Sequence, residues 1–566
     1  MTKISGSDAM FQVLYDWGID HIYGFPGGSF DSTMNAIHNW RDKIKFIEVR
    51  HEEAGALAAS AEYKISGKVG VCFGSAGPGA VHLMNGLYDA KYDKTPMVAI
   101  VANVPTSRQD IDFFQAFDEK PWFDPVAVWN HQAKTAEAIP VLMDEAIRQA
   151  YQKKGPAVLI LPKDFGWDKI EDNFRNNAAA HKIVPNFPAP RKEQIDKALE
   201  LIKEAKNPII YFGHGAQDAS AELKEFSDKF KMPLVSSVLG KGIVEDEFPA
   251  YMGSIGRVGA KPSNDIQTHA DLVVWVGNNS PFSIFFFNPK AKVIQIDINS
   301  ERLGKRHAVT VPMLADSKKT LRALIEAGEG RAESPLYKAA NDAVFAVDVG
   351  NVNINFDRLM HLHDDQKWTT SGLYATMGYG APAALAAATI YPKREVWNLA
   401  GDGGFAMMNQ ELLTQARYNM HIINVVFTNE TLGYIEAEQV DESHQPLSGV
   451  KLPDNDWAMS AEGMNVKGFT VRTKREFEDA VAAAQQMEGP VLIDCKITHD
   501  MPYSTELNTL DDPAFVAKYD AQALKPFSYF AGKYGVEADA ASGASEHTEA
   551  EPVEAKEDAS SGASRH

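Results

Sequence analysis

Asp402 stands in the turn Gly401-Asp402-Gly403-Gly404, and Asn429 follows 27 positions later in Thr428-Asn429. An apolar run of strand length precedes each of them: Val396 to Ala400 and Ile422 to Phe427. Between the two, Met407 to Tyr418 carries Leu412, Leu413 and Ala416 on one side at helical spacing. Strand, turn, helix, strand is a βαβ unit. Its two strand ends open at the same edge of a parallel sheet, so Asp402 and Asn429 emerge side by side. A carboxylate beside an amide oxygen suits a hard divalent ion such as Mg²⁺, which takes oxygen ligands and often a ligand's phosphate. Glycines next to Asp402 let the backbone approach that phosphate. A glycine-rich turn is also common as plain structure; the strand-terminal asparagine is what makes the metal reading specific.

Other candidates are less specific. Arg50-His51-Glu52-Glu53 lies between an apolar run and an Ala-rich helical stretch, where a first-turn acid ordinarily complements the helix dipole. Gly24-Phe25-Pro26-Gly27-Gly28 is a turn after a strand. Gly74 to Gly79 (GSAGPG) leads into a helix with Asn85, where backbone amides could meet a ligand or simply form a loop. Three further strand ends carry turn chemistry: Gly213-His214-Gly215, Gly277-Asn278-Asn279 and Asp297-Ile298-Asn299. An acid closing a strand of a dinucleotide fold can hold a ribose or adenine, and Asp297 would serve equally as a helix cap. No GxGxxG occupies the first turn of that region, so the NAD fingerprint is absent. Glu506, in the polar arm Asp500 to Leu510, is by default a solvated acid.

The elements that must position these residues fall in three regions. In the first, to about Asp172, Ser7-Asp8 could cap a helix from Ala9 to Trp17. Apolar runs at Lys45–Val49, Val69–Phe73, Met97–Val101 and Ala157–Leu161 alternate with helical stretches such as Glu53–Tyr63 and Val141–Tyr151. Such alternation means a doubly wound parallel sheet. After the proline-spaced connector Pro185 to Pro190, runs at Pro208–Phe212, Leu234–Val238, Leu272–Val276 and Val293–Ile296 repeat the pattern to about Gly328. The third region, about Val344 to Thr498, has runs at Phe345–Val347, Val396–Leu399, Ile422–Phe427, Thr470–Val471 and Val491–Ile497. Its small-residue stretch Gly378 to Ala388 reads as a helix packed closely on the sheet. The expected fold is therefore α/β, with three doubly wound parallel-sheet domains over 1–182, 191–328 and 335–530.

The chain's 566 residues fit three or four domains, and 45% hydrophobic with 23% charged residues is an ordinary globular composition. A net charge of −20 argues against nucleic acid and against an anionic membrane surface as partners. The segment 537–566, rich in Ala, Ser and Gly with eight acidic and two basic residues, reads as a disordered acidic tail. Cys72 and Cys495 each sit in an apolar run, which excludes a disulfide framework and points to buried thiols. The N-terminus has no signal-peptide core and no run reaches membrane-helix length, so a cytoplasmic protein is expected.

Taken in order, these pieces resemble the thiamin-diphosphate enzymes with pyrimidine-binding, middle and diphosphate-binding domains. The resemblance runs from about Ser7 to Phe530. It is strongest to the phosphate-dependent, FAD-containing pyruvate oxidases of lactic-acid bacteria. VRHEEAGALAA, VCFGSAGPGAVHLMNGLYDA, PAYMGSIGRVGAKP, VGNNSPFS, QIDINSERLGKRH, YATMGYG and INVVFTNETLGYIEAEQ carry it. It implies Mg²⁺ on Asp402, Asn429 and the Thr431 carbonyl. Thiamin diphosphate would be held by Asn85, Val349, Met377, Gly401, Gly403, Gly404 and Ile435, with Met377 propping its bent form. FAD would lie on Gly213, Gly253, Arg257, Gly277, Asn278, Asp297, Ile298 and Asp316. Glu52 falls on the family's catalytic glutamate, which hydrogen-bonds the aminopyrimidine so that the cofactor loses its C2 proton; Glu53 does not. Phe114 and Gln115 match a Phe-Gln pair near thiamin, flavin and substrate, and Glu506 an acid beside the reacting carbon.

The implied reaction decarboxylates pyruvate, passes two electrons to FAD, releases acetyl phosphate on attack by phosphate, and reoxidises the flavin with O₂ to give H₂O₂. The family places thiamin between the pyrimidine domain of one subunit and the diphosphate domain of another, which implies a homo-oligomer, a dimer at least and a tetramer by family norm. Acetolactate synthase, which condenses a second pyruvate, is the nearest rival; a quinone-linked dehydrogenase would need an amphipathic C-terminus where this chain has an acidic one. One departure stands out. Ser317 to Ala346 is too short for the family's linker plus opening helix, and a missing outer helix would expose apolar sheet surface, leaving a poorly folded or inactive relative as an alternative.

Overall fold

The computed structural model describes residues 3–174, 187–330, 345–360, 367–439 and 446–498, apart from 247, 249, 257–262, 265–266, 269 and 282–286. Three six-stranded parallel sheets organise them. The first runs in the order β3-β2-β4-β5-β7-β6, from β2 (His21–Gly24), β3 (Lys45–Glu48), β4 (Gly70–Gly74), β5 (Met97–Asn103), β6 (Trp129–Gln132) and β7 (Pro156–Pro162). β5 and β7 are buried along their whole length, as strands covered by helices on both faces must be. A short antiparallel pair, β1 (Lys3–Ser5) with β8 (Lys169–Glu171), adds to the doubly wound pattern.

The second sheet is β11-β10-β9-β12-β13-β14, from β9 (Pro208–Phe212), β10 (Leu234–Ser236), β11 (Tyr251–Ser254), β12 (Leu272–Val276), β13 (Lys292–Asp297) and β14 (Val311–Leu314). The third is β16-β15-β17-β18-β20-β19, from β15 (Phe345–Val347), β16 (Trp368–Thr369), β17 (Val396–Gly401), β18 (Ile422–Thr428), β19 (Lys467–Val471) and β20 (Val491–Lys496). Chain order reverses between β2 and β4, between β9 and β12, and between β15 and β17. Ligands bind such sheets at the carboxyl ends of the strands flanking the reversal. Those ends carry the GFPGG and GSAGPG turns, the Gly213 and Gly277-Asn278 turns, and Asp348-Val349 with the GDGG turn.

Two local expectations are corrected. The first helix is Gly6–Asp16 and Ser5, not Ser7, caps it: the Asp8 amide donates to Ser5 Oγ at 3.0 Å. The helix expected over Met407–Tyr418 is two helices, Asp402–Met408 and Glu411–Arg417. The break falls at Asn409, whose side-chain amide donates back to the Ala406 carbonyl at 2.8 Å and so competes with the helical ladder.

Small residues join the first and third regions. Helix Glu52–Ser66, ended by Gly67 at φ 72°, packs on helix Gly380–Ile390 through Ala54, Ala58 and Ala61 against Ala383, Ala384 and Ala387 in one shared core. Beneath this contact lies buried charge. Lys64 Nζ donates to Asp89 (2.8 Å), Asp93 (2.7 Å) and the Thr370 carbonyl (3.2 Å). The same acids accept from Ser60, Ser371 and the amides of Gly372 and Leu373. Burial works against the Lys64 charge, and the two carboxylates outweigh it and raise its pKa. Cys72 and Cys495 are free and buried.

After β15, helix Asn351–Leu359 lays Phe356 against Trp368, Trp397 and Leu399, so it covers part of the third sheet's outer face. Of the stretch Ser317 to Ala346, expected to be short, residues 331–344 lie outside the described residues, as do the acidic tail and the arm with Glu506.

Candidate active site

The third sheet sets the metal-type residues. Gly401 of β17 pairs in register with Phe427 of β18, so the two strand ends are level. Asp402 Oδ1 accepts from the Gly403 amide and Oδ2 from the Glu430 amide, both at 2.9 Å. Asn429 Oδ1 accepts from the Thr431 amide at 3.3 Å. Thr431 forms an isolated antiparallel bridge to Lys451, in which the bonds run Leu432 N–H to Val450 O and Leu452 N–H to Glu430 O, each 2.8 Å. In that pairing the bridged residue turns its own N–H and C=O away from its partner. Since the Thr431 N–H goes to Asn429, its carbonyl faces the same side. The Thr431 carbonyl thus lies on the side of Asn429, whose own strand end is level with that of Asp402. Burial pushes the Asp402 carboxyl above its ordinary range, a cost a bound cation would relieve.

The three glycines differ. A Cβ on Gly401 would meet nothing within 4 Å, which leaves an open face for a ligand. On Gly403 it would lie 2.5 Å from Leu432 Cδ2, a side-chain end that can move, and on Gly404 2.8 Å from Asp348 Oδ2, a carboxylate held by backbone amides, so packing favours glycine most at Gly404. Asp348 escaped the sequence reading. It is buried, its carboxyl is pushed up to about 7 by that burial, and it accepts from the amides of Val349 (2.7 Å) and Gly378 (2.9 Å). It thus fixes the strand end with Val349 and the loop with Met377 against the GDGG turn. Met377 Cε lies 3.5 Å from the Cβ position of Gly403. Ile435, on helix Gly433–Ala437, is 41% exposed.

Glu52 opens helix Glu52–Ser66 and is buried. Its Oε2 meets His82 Nδ1 at 2.9 Å, and His82 stacks on His51 with ring centroids 4.3 Å apart. His51 belonged to the Arg50–Glu53 candidate, but His82 did not stand out in the sequence, because its contact depends on how the GSAGPG loop folds back. A Cβ at Gly79 would lie 2.8 Å from Glu52 Oε1, and one at Gly77 (φ 73°) 2.8 Å from Gln115 Cβ. Gln115 itself holds φ 61°, an unusual conformation that sites tend to retain. So the structure brings Gln115, the glycine loop and Glu52 together, while the neighbouring Phe114 is 76% exposed. His51, Glu52 and His82 offer ligand atoms within 4.8 Å of one another; the all-oxygen set at Asp402 is the one suited to Mg²⁺.

One bridge links the halves. Asn85 donates to Glu53 and to Thr376 Oγ1 (2.7 Å), next to Met377. Glu52 and the GDGG turn are therefore joined, within one chain, through Asn85, the Thr376-Met377 loop and Gly403.

In the second sheet Gly213 and Asn278 touch at the strand reversal. A Cβ on Gly213 would lie 2.8 Å from Asn278 Cβ, and Gly215 and Gly277 meet backbone to backbone. Asp297 ends β13, accepts from the Asn299 amide at 2.8 Å, and is pushed up to about 6 by burial. Ile298 follows it, and Gly253 (φ 94°) lies in β11. Asp316 caps helix Ser317–Ala327 by accepting from the Lys319 amide at 2.8 Å, which accounts for it structurally. Arg257 and Glu506 lie outside the described residues.

Three parallel sheets with a glycine-rich, acidic turn at the reversal of the third define a class. The chain matches the N-terminal TPP binding domain of thiamine pyrophosphate enzymes over residues 4–122, their central domain over 195–324 and their C-terminal TPP binding domain over 348–495. It belongs to the thiamine pyrophosphate enzyme family. It is 40% identical to the pyruvate oxidase of Lactiplantibacillus plantarum, over 95% of this chain and 97% of that one. The protein YdaP of Bacillus subtilis is 36% identical over 89% and 93%, and the acetolactate synthase of Arthrospira platensis 29% over 88% and 95%. No helix among the described residues is long and apolar enough to cross a membrane.

Proposed function

We propose that this chain is a pyruvate oxidase that uses thiamin diphosphate, Mg²⁺ and FAD to convert pyruvate, phosphate and O₂ into acetyl phosphate, CO₂ and H₂O₂. The observation that carries this reading is the placement of Gln115 over the Gly77–Gly79 loop beside Glu52, in a chain 40% identical to a pyruvate oxidase along 95% of its length. Bound thiamin diphosphate would supply the electron sink for decarboxylation, FAD the acceptor of two electrons, and Mg²⁺ neutralisation of the diphosphate.

The residues fit those groups. Asp402, Asn429 and the Thr431 carbonyl would hold Mg²⁺, with the open face at Gly401 taking the diphosphate. Met377, Val349 and Ile435 would line the thiamin, and the crevice at Gly213, Gly277 and Asn278 would take the FAD phosphates, with Asp297 on a ribose. Glu52, kept from water and oriented by His82, would hold or release the proton that the aminopyrimidine exchanges. Glu506 and Arg257 keep the roles their sequence context implies. The assembly would be a homo-oligomer, working in the cytoplasm, with domains near 1–182, 191–328 and 335–530.

The test is anaerobic flavin absorbance on protein loaded with the three cofactors, after pyruvate is added. Bleaching that air reverses, with acetyl phosphate and H₂O₂ formed, is expected. Flavin that stays oxidised while acetolactate accumulates would overturn the oxidase in favour of synthase chemistry, the reading that the 29% identical relative supports. Failure to bind flavin or thiamin at all would point to the shortened stretch before β15.

A further inference from the structure

Strand β3 is the edge of the first sheet, and its last residues run straight into Glu52. Its inward amides pair with β2: Lys45 N–H bonds to the Asp20 carbonyl (2.8 Å) and Val49 N–H to the Gly24 carbonyl (3.1 Å). Alternation then turns the backbone groups of Phe46, Glu48 and Arg50 outward, where an edge strand is left without a partner. These are the groups that helix Glu411–Arg417 and the next residue, Tyr418, occupy. Tyr418 Oη donates to the Phe46 carbonyl at 3.0 Å and accepts from the Glu48 amide at 2.8 Å. Glu411 Oε1 accepts from the Arg50 amide at 3.0 Å. Thr414 Oγ1 donates to Glu411 Oε2 at 2.8 Å and lies 3.4 Å from the Glu48 carbonyl. Arg417 pairs with the Glu48 carboxylate at 2.5 Å. Positions 411, 414 and 418 share one helical face, so side chains of the third region do the work of a neighbouring strand.

We propose that Glu411 and Tyr418 are positioning residues for Glu52: they lock the end of β3 in register and so set where the carboxyl of the following helix's first residue points. The proposal rests on the reading of Glu52 as the acid that serves the thiamin ring. Glu411 is fully buried, and its carboxylate spans from the helix that follows the GDGG turn to an amide two residues before Glu52. Among the described residues no lysine or arginine side chain hydrogen-bonds this carboxylate; burial works against its charge, and the Arg50 charge nearby only partly offsets that, a poor arrangement for stability alone. An aliphatic side chain would pack as well but could not accept the Arg50 N–H. The backbone hydrogen bond is therefore what this acid supplies. The same helix pair begins at Asp402.

The test compares wild type with Glu411→Ala, Glu411→Gln and Tyr418→Phe in two measurements. The first is amide hydrogen exchange of the segment 46–52 in full-length protein without cofactors. Glu411→Ala and Tyr418→Phe should exchange there faster, and Glu411→Gln should resemble wild type, because its amide oxygen still accepts. The second is C2-proton exchange of bound thiamin diphosphate at saturating cofactor and Mg²⁺. It should slow about tenfold to a hundredfold in Glu411→Ala, the scale expected for a misplacement near 1 Å, and recover in Glu411→Gln. Unchanged exchange at 46–52 overturns the clamp, and so does a Glu411→Gln variant as impaired as Glu411→Ala. A wild type that does not accelerate C2 exchange over free cofactor sinks the thiamin reading instead, and amide exchange still decides the clamp. Should Glu411→Ala not fold, Tyr418→Phe, which lacks one oxygen, decides in the same way.

Discussion

At the scale of single residues, two carboxylates divide the site by environment. Glu52 lies against an imidazole and a glycine loop, whereas Asp402 lies among backbone donors. Glu52→Gln keeps the shape but loses proton exchange, so turnover of pyruvate should fall about 10²- to 10⁴-fold, the usual worth of a placed acid or base. Thermal unfolding alongside the kinetics should show little change; an equal loss of stability would mean a structural role. Asp402→Asn has the opposite profile. Burial already disfavours that charge, so the cofactor-free variant should unfold at the same temperature as wild type or higher. The stabilisation gained on adding Mg²⁺ and thiamin diphosphate, read as a rise in unfolding temperature, should shrink, by up to about 2.7 kcal/mol if the ligand is at a hundred times its Kd. A full cofactor-induced rise in the variant would remove Asp402 from the metal set.

At the scale of elements, buried polar clusters fix how helices meet. Lys64 joins helix Met84–Asp93 to the loop after β16, a loop that continues to Thr376 and Met377. Lys64→Met strands two buried acids, and breaking such a pair costs about 3–5 kcal/mol, which chemical denaturation would read directly. Retained stability would show that water reaches Asp89 and Asp93. A second cluster sits where β2 begins. His21 lies 2.6 Å from Asp20 Oδ1 and 3.0 Å from Glu62 Oε2. Burial opposes its charge, but the two acids prevail and raise its pKa to about 9. A histidine raised in the folded state stabilises fully below its unfolded value, about 6.5, and the benefit is lost as pH rises through the folded value. Thermal stability should thus decline from about pH 6.5 to 9, by roughly 3 kcal/mol at most, and His21→Gln should flatten the decline. An unchanged slope in the variant would assign it to other groups.

At the scale of the whole molecule, the first and third regions share a small-residue core and side-chain bonds to distant backbone, and apolar side chains remain outside. Phe114 (76% exposed), Met407 (51%), Tyr92 (50%) and Trp122 (43%) lie at the surface of one chain. Burial of such side chains is what self-association supplies. Sedimentation at micromolar concentration is expected to give a dimer or larger, and Phe114→Asp should shift it toward monomer. A monomeric wild type would refute the oligomer.

The sequence by itself determined the three α/β sheets, because buried parallel strands read as short apolar runs whatever they pack against. It also determined the Asp402 and Asn429 pairing, since adjacent strand ends in a βαβ unit follow from chain topology. It marked Glu52, the Gly77–Gly79 loop and Gln115 through resemblance, and only the fold shows them in contact. Asp348, His82, Lys64 and Glu411 gave no signal in the chain. Each acts on a segment tens to hundreds of residues away, and an acid or histidine in a helix or turn looks the same in sequence whether it meets water or a distant amide. The break at Asn409 belongs with them, for local hydrophobic period extends through it while a side-chain hydrogen bond ends the helix. Tertiary structure alone decided that Gly401 faces open space while Gly403 and Gly404 face Leu432 and Asp348, because that depends on what a missing Cβ would touch.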